Sequence, residues 1–368
     1  MRNLRINLDA IVHNLDVMRA RASQAKVMGV VKANAYGHGA VPVAKALEQA
    51  GVDYLGVADV TEALELRAAG IKAPILAWLH DPADDFTRAL GARIQLGVAN
   101  VEQLGRIADA AAITGEVAKL HLKIDTGLGR NGSTVAEWTV LLEAVKALGS
   151  AVEVVGIFSH LSTTSRDDDL EQITKFDEAV AEAKRVGVNF ELRHLTASDG
   201  SLAYPDAHYE MVRVGVALYG LDPFSTNKGS QYGLIPAMTA VSRVAQLKRV
   251  PAGHGVSYNY LHRTAEDTNL ALVPVGYAEG FPRAATGKAE VSINGKRYLV
   301  KSQVAMDQFV IDVGNDSVQV GDEVILFGDS SLGVPSADDL ANACGTINYE
   351  IVTRMGGRFV REYFGAGQ

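Results

Sequence analysis

Along the first two thirds of the chain, apolar positions alternate between two periods. Leu8, Ile11, Val12, Leu15 and Met18 recur at helical spacing, and Asn7 or Asp9 stands where a cap would start that helix. Residues 27–32 then form a short β-branched run that stops at Ala, Asn and Gly, the pattern of a buried strand ending in a turn. The same alternation predicts a helix over Val41–Ala50 closed by Gly51, a strand over Tyr54–Ala58, a helix over Thr61–Ala69 closed by Gly70, and a strand over Pro74–Trp78. Further strands are expected near Arg93–Leu96, Lys119–Asp125, Glu153–Phe158, Glu191–Leu195 and Met211–Val214, with Val135–Leu148 and Leu170–Arg185 the clearest helices between them. Eight strands alternating with helices over about 200–250 residues predict an α/β fold, a closed TIM-like (β/α)8 barrel. A doubly wound open sheet is the alternative, but no GxGxxG follows the first strand.

The texture changes after residue 236. Ala240–Val250 alternates apolar and polar residues, Val291–Val300 reads as two short strands around an Asn294-Gly295 turn, and Gly321 opens a turn into a strand ending at Phe327. Helical patterning is sparse until Ser336–Ala343. The expected organisation is a barrel domain over residues 1–236 and a mostly β domain over 237–368.

Composition narrows the function classes. Apolar residues make up 48% and charged residues 21% of the 368, as in an ordinary globular protein. The net charge of −8 and the lack of a basic cluster argue against a nucleic-acid surface. Cys344 is the only cysteine, so an intrachain disulfide is impossible. The N-terminal segment lacks the apolar core and cleavage site of a signal peptide, and no run reaches the ~20 apolar residues of a membrane span. A cytoplasmic location is the expectation.

In a barrel the loops after the strands form the active face. On that face the sequence places Lys32 and Tyr36 after the first strand, Arg130 after the strand ending at Asp125, and His160 after Phe158. Ser198 follows the strand ending near Leu195, and Arg213, Gly215 and Val216 lie at the last strand. Each alone has a plain reading: a lysine stem on the rim, a solvated loop arginine, a hydrogen-bonded histidine, ordinary turn glycines. Together they supply an amine able to form an imine, backbone N–H groups suited to a phosphate, and a cation for a ring nitrogen. These are the parts a pyridoxal phosphate enzyme requires.

The segment Val31-Lys32-Ala33-Asn34-Ala35-Tyr36-Gly37-His38-Gly39 resembles the cofactor-lysine signature of the alanine racemase family. Similar segments follow in the family's order: Lys123–Arg130, Ser159-His160, Arg213–Gly215, Ala217–Gly220, Gly255–Tyr258, Val275–Phe281, Met306–Gln308 and Thr346–Glu350. The resemblance implies a barrel followed by a β domain. It further implies an isomerase that interconverts L- and D-alanine and supplies D-alanine for peptidoglycan. By the same resemblance Lys32 holds pyridoxal 5'-phosphate covalently, and Tyr36, Ser198, Gly215, Val216 and Tyr349 bind its phosphate. Arg213 faces the ring nitrogen, His160 bridges Arg213 to the second base, and Tyr258 is that base, arriving from the partner of a homodimer. Arg130 and the backbone N–H of Met306 meet the substrate carboxylate. Lys123 carries a carbamate in some relatives; a salt bridge to a neighbouring acid is the other reading.

Two bases on opposite faces allow proton removal and return without moving the substrate. A phenol's ordinary pKa of about 10 means that Tyr258 needs cationic or hydrogen-bond support, which an Arg213–His160 chain is expected to give. An arginine at the ring nitrogen can only donate, so it is expected to disfavour transamination. The chain departs from the family pattern at Lys301–Ala305, where relatives usually carry Gly-Arg and often Cys, in the polar loop after His160, and at Ala197. Two alternatives keep the fold: a serine or broad-specificity racemase, and a decarboxylase, which Arg213 argues against. A third is a non-catalytic pyridoxal phosphate carrier, which the β domain argues against.

Overall fold

The computed structural model describes residues 1–224 and 229–365. It divides into two compact units: one comprises Leu15–Ala35 and Ala40–Leu218, the other Met1–Asn14, Tyr36–Gly39 and the chain from Tyr219 onward. This grouping differs from a simple split at residue 236. The first strand, β1 (Asn3–Asn7), belongs to the second unit. It pairs antiparallel with Met238–Arg243 and parallel with Val360–Phe364. The sequence reading contained no strand before Leu8, because a five-residue run gives little periodic signal and β1 finds its partners more than 200 residues away.

The first unit is an eight-stranded, all-parallel sheet with helices between its strands. Its strands are β2 (Lys26–Val30), β3 (Tyr54–Val57), β4 (Ile75–Ala77), β5 (Ile94–Val98), β6 (Ala118–Lys123), β7 (Val152–Phe158), β8 (Leu192–His194) and β9 (Met211–Val214). Their order is β8-β7-β6-β5-β4-β3-β2-β9, so β8 and β9 meet at the seam of a nearly closed barrel. The seam is bridged by Arg213 N–H donating to Thr196 O at 3.0 Å and by the Arg193–Glu210 ion pair at 2.5 Å. These strands are short and mostly buried on both faces, as befits a covered parallel sheet, although β5, β6, β8 and β9 carry polar side chains such as Gln95, His121, His194 and Arg213. Met28, Tyr54, Leu76, Val155, Leu192 and Met211 pack into one buried cluster with Trp78 against it.

The helices begin and end where local chemistry directs. Asp59, Asn100, Thr134 and Ser165 each accept a backbone N–H of the first turn that follows them. Gly115 and Gly187 close helices in the left-handed conformation that glycine adopts without strain. The helix expected over Leu170–Arg185 spans Arg166–Val186, with Asp167, Asp168 and Asp169 in its first turn and Lys184 and Arg185 in its last, matching the helix dipole.

The second unit is mostly β. A six-stranded sheet runs Lys296–Leu299, Glu290–Ile293, Glu323–Phe327, Met238–Arg243, β1, Val360–Phe364. A three-stranded sheet joins Gln246–Val250, Thr268–Val273 and Phe309–Gly314. The alternating stretch Ala240–Val250 therefore supplies two strands in different sheets. The hairpin turns at Asn294 (φ 50°) and Gly295 (φ 79°), both left-handed as a two-residue hairpin turn demands. A helix spans Ala337–Cys344, capped by Ser336. Among the described residues no helix is long and apolar enough to cross a membrane, and no group of three or more His, Cys, Asp or Glu side chains could hold a metal ion.

Candidate functional site

Lys32 follows β2 and begins a turn with unusual backbone geometry. Ala33, Asn34, Ala35 and Tyr36 all lie at positive φ (52°, 53°, 54° and 52°). Outside glycine that conformation costs about 1–2 kcal/mol per residue, so the turn is held by tertiary bonds rather than by propensity. The sequence expectation of a strand reaching residue 32 thus ends two residues early, at Val30.

The barrel unit brings most of the expected residues into one mouth. Lys123 closes β6, Arg130 lies on the exposed turn after it, His160 follows β7, and Arg213 lies in β9. Burial lowers the pKa of the Lys32 amine, and the Arg130 and Arg213 charges lower it further, with Glu62 opposing. Lys123 is pushed down to about 8, by burial first and then by Arg213 and Arg130. Even the Arg213 guanidinium is pulled to about 10 by its burial. Lys123 makes no salt bridge within 4.0 Å among the described residues, although the Asp125 charge opposes its downward shift; its ammonium lies 5.4 Å from the Phe158 ring centroid. Asp125, the acid nearest in sequence, accepts from Gly127 N–H at 3.0 Å and Gly129 N–H at 3.1 Å, shaping the turn that carries Arg130.

Arg213 is the hub of a buried polar chain. Nη1 donates to His194 O at 2.5 Å and reaches His194 Nδ1 at 3.2 Å; Nη2 donates to Ser159 O at 2.7 Å and Leu195 O at 2.9 Å and reaches His160 Nδ1 at 3.1 Å. His194 Nε2 lies 2.8 Å from His121 Nδ1, and His121 Nε2 lies 2.7 Å from Gln95 Oε1. Because a guanidinium can only donate, Nδ1 of His194 must accept, so Nε2 of His194 carries the proton that His121 Nδ1 accepts. The same logic protonates His121 at Nε2, facing the Gln95 oxygen. Both rings are therefore neutral, consistent with burial holding His194 well below its usual range and pushing His121 down to about 3. His160 is likewise held far down, by burial first and then by Arg213. With its Nδ1 accepting from Arg213, His160 presents Nε2–H as its donor. Among the described residues, none of the hydrogen bonds of Arg213 uses Nε.

The sequence reading named neither His121, His194 nor Gln95. Period-two spacing in β6 sets His121 on the face of Lys123, which was an available signal. The register shifts between Leu120 and His121, leaving Val155 of β7 unpaired and setting Gly156 opposite His121, where it leaves room for the ring: a Cβ there would lie 2.8 Å from His121 Nδ1. Ser198 also has a defined role, since its hydroxyl accepts from Gly215 N–H at 2.9 Å and Ala217 N–H at 3.3 Å. Ser198 and the Gly215-Val216 turn are thus joined, with the Gly215 N–H spent on the serine.

The remaining expected residues lie in the second unit. Tyr36 packs on Tyr219 (ring centroids 4.9 Å) and Tyr349 (6.2 Å). Tyr258 is 65% and Met306 53% exposed. The Tyr258 loop is strained at Ser257 (φ 59°), Asn259 (φ 60°) and Tyr260 (φ 45°). Gln303, part of the segment that departs from the family pattern, holds it: Asn259 Nδ2 donates to Gln303 Oε1 at 2.8 Å and Ser257 Oγ to Gln303 O at 3.2 Å. Tyr258 and Ala305 line one cavity of about 400 Å³. The Ala305-Met306 carbonyls accept from Tyr277 and Ala278 N–H at 3.2 and 3.0 Å; a Cβ at Gly276 would sit 2.2 Å from Ala305 O, so that loop requires the glycine.

Known proteins share this arrangement. The alanine racemase N-terminal domain family matches residues 6–223, and the alanine racemase C-terminal domain family matches residues 237–363. An alanine racemase of Thermobifida fusca is 45% identical over 367 residues, covering 98% of each chain. One of Frankia casuarinae is 46% identical over 364 residues, covering 97% of this chain and 95% of its own. The crystal structure of an alanine racemase from D-cycloserine producing Streptomyces lavendulae superposes with a TM-score of 0.97 at 43% identity, covering 99% of this chain and 97% of that one. With both domain families matched in order and full-length relatives at this identity, the chain belongs to the alanine racemase family.

Proposed function

We propose that the protein interconverts L- and D-alanine with pyridoxal 5'-phosphate, in the cytoplasm, as a homodimer, and that its D-alanine serves peptidoglycan. Residues 1–236 would hold the cofactor and 237–368 would supply the opposing base. The observation that carries this reading is the gathering of Lys32, Lys123, Arg130 and Arg213 in one barrel mouth, where each depresses a neighbour's proton affinity. So many crowded cations suit an anionic ligand set: a phosphate on one side and a substrate carboxylate on the other. The family resemblance assigns Lys32 to the cofactor's aldehyde, Arg213 Nε–H to its ring nitrogen, and Tyr36, Ser198, Val216 and Tyr349 to its phosphate, with Gly215 serving through the N–H it donates to Ser198. When bound, pyridoxal phosphate supplies an imine-forming aldehyde and an electron sink for the charge left at Cα.

The chain's own residues account for the proton traffic. A depressed pKa leaves more of the Lys32 amine neutral near pH 7, as both imine formation and base action need. Arg213 cannot accept a proton, so it leaves the ring nitrogen unprotonated and keeps charge at Cα, where it is quickly reprotonated. Neutral His160, locked by Arg213 to offer Nε2–H, is assigned to the phenol oxygen of Tyr258 from a second copy of the chain. The exposed Tyr258, Tyr260 (58%) and Leu261 (62%) fit burial against such a copy. Arg130 and the Met306 N–H, which donates to no described residue, would take the substrate carboxylate. The lowered Lys123 amine suits carbamate formation, in which neutral nitrogen adds to carbon dioxide and releases one proton.

The test is exchange of the α-hydrogen of L-alanine for solvent deuterium with appearance of D-alanine. Lys32→Ala and Tyr258→Phe chains should each be inactive, and mixing them should regain activity through one intact site per heterodimer. A yellow protein that exchanges no α-hydrogen would refute the reading, and mixed variants that stay inactive after subunit exchange would refute the shared site.

A further inference from the structure

Several bonds anchor the left-handed turn after Lys32, among them three that involve Ala33, Asn34 and Ala35. Ala35 N–H donates to Val31 O at 2.8 Å, and Ala40 N–H donates to Asn34 Oδ1 at 2.8 Å. The third anchor is Glu62, in the helix Val60–Ala68. One of its carboxylate oxygens accepts the N–H of Ala33, the residue directly after Lys32, at 2.6 Å; the other accepts the N–H of Ala58, just past β3, at 2.8 Å. Glu62 is itself fixed, since its own N–H donates to the capping carboxylate of Asp59 at 2.9 Å. A single carboxylate therefore ties the strained turn to the end of the neighbouring barrel strand. Bonds from N–H groups to a carboxylate are stronger than those to a neutral acceptor.

Charge points the same way. The charges that chiefly shift Lys32 are Glu62 from its helix, Arg130 from the turn after β6 and Arg213 from β9, and Lys32 in turn lowers Lys123 on β6 and His160 after β7. Of these only Glu62 is acidic, and it alone favours the ammonium form.

We propose that Glu62 is the positioning residue for Lys32, clamping the left-handed turn that carries the amine through its bonds to the Ala33 and Ala58 N–H groups. This rests on the reading of Lys32 as cofactor tether and base. The clamp explains how four non-glycine residues stay left-handed at a place where a small displacement of the amine would disrupt proton transfer.

Glu62→Gln keeps the shape but cannot accept at both oxygens and carries no charge. In the holoenzyme, kcat should fall about tenfold to a hundredfold with KM changed much less, as expected for misplacement of a reacting group. The acid limb of the kcat profile, which reports the complex in which Lys32 acts as a base, should move to lower pH, because Glu62 favours the ammonium form of Lys32 and its charge is lost. Hydroxylamine should strip the cofactor severalfold faster, followed as loss of visible absorbance, a readout independent of turnover. Glu62→Asp keeps the charge but not the reach, so it should lower kcat while leaving the acid limb in place; this variant carries the test should Glu62→Gln not fold. A merely structural role would lower protein yield without moving either the acid limb or the extraction rate. Wild-type kcat and extraction rate in Glu62→Gln or Glu62→Asp would overturn the clamp. Racemisation surviving in Lys32→Ala would instead overturn the parent reading.

Discussion

Two neutral histidines inside the barrel should make the protein acid-labile in a calculable way. Burial, then the Arg213 charge, puts the folded-state pKa of His121 at about 3, against about 6.5 for an unperturbed histidine. Below pH 6.5 the unfolded chain therefore takes up a proton that the folded chain refuses. Stability from this group is intact above about pH 6.5 and is lost as pH falls toward 3, at about 1.4 kcal/mol per pH unit within that window. Between about pH 6.5 and 5 the loss is about 2 kcal/mol for His121, and His194, also held well below its usual range by burial, acts in the same direction. That is a substantial part of the 5–15 kcal/mol typical of a folded protein. The assay is the urea unfolding midpoint followed from about pH 7.5 to 5 for the wild type and His121→Asn. At neutral pH the variant should be less stable by about 1–3 kcal/mol, because Gln95 and His194 lose a buried partner. Its stability should then fall less steeply on acidification, so that the gap narrows by about 2 kcal/mol near pH 5. Parallel curves for the two proteins would show that His121 is not held neutral, and the proton-position argument built on Arg213 would fail with it.

Other outcomes follow from the same geometry. Arg213→Glu, which can share a proton with the ring nitrogen, should raise the fraction of turnovers ending in transamination, measured as pyruvate formed per D-alanine; an unchanged ratio would refute the role of a donor-only residue. Intact-mass spectra under non-acidic conditions should show a carbon dioxide adduct that Lys123→Ala lacks and that bicarbonate-free buffer diminishes; equal masses in all three samples would rule out the carbamate. Gln303→Ala removes the side-chain acceptor of Asn259 and should lower kcat about tenfold through the Tyr258 loop, with the protein still folded by circular dichroism; wild-type kcat would show that the loop holds itself.

The alternation of periods was enough to locate the barrel strands to within a residue or two, because strand and helix periodicity and glycine turns are local properties. It also showed that lysine, arginine and histidine would stand at strand ends, since a barrel presents those ends on one face. Local pattern could not reveal β1, whose partners lie at the far end of the chain, nor that Ala240–Val250 divides between two sheets. It also hid Glu62, which sits in the first turn of an ordinary short helix and acquires a role only because β2 and β3 are neighbours.

Lys32 thus stood out only together with the other strand-end residues and the similar segments along the chain, and the state of its amine did not show at all. The sequence by itself determined which side chains are available and, through period and turn chemistry, that they collect at the strand ends. Only the tertiary structure decided their protonation. Closure of the sheet brings His121 within 2.8 Å of His194, 73 residues along the chain, and buries both behind Arg213. Proton positions depend on desolvation and on which donor meets which acceptor, and neither exists until the ring of strands has formed.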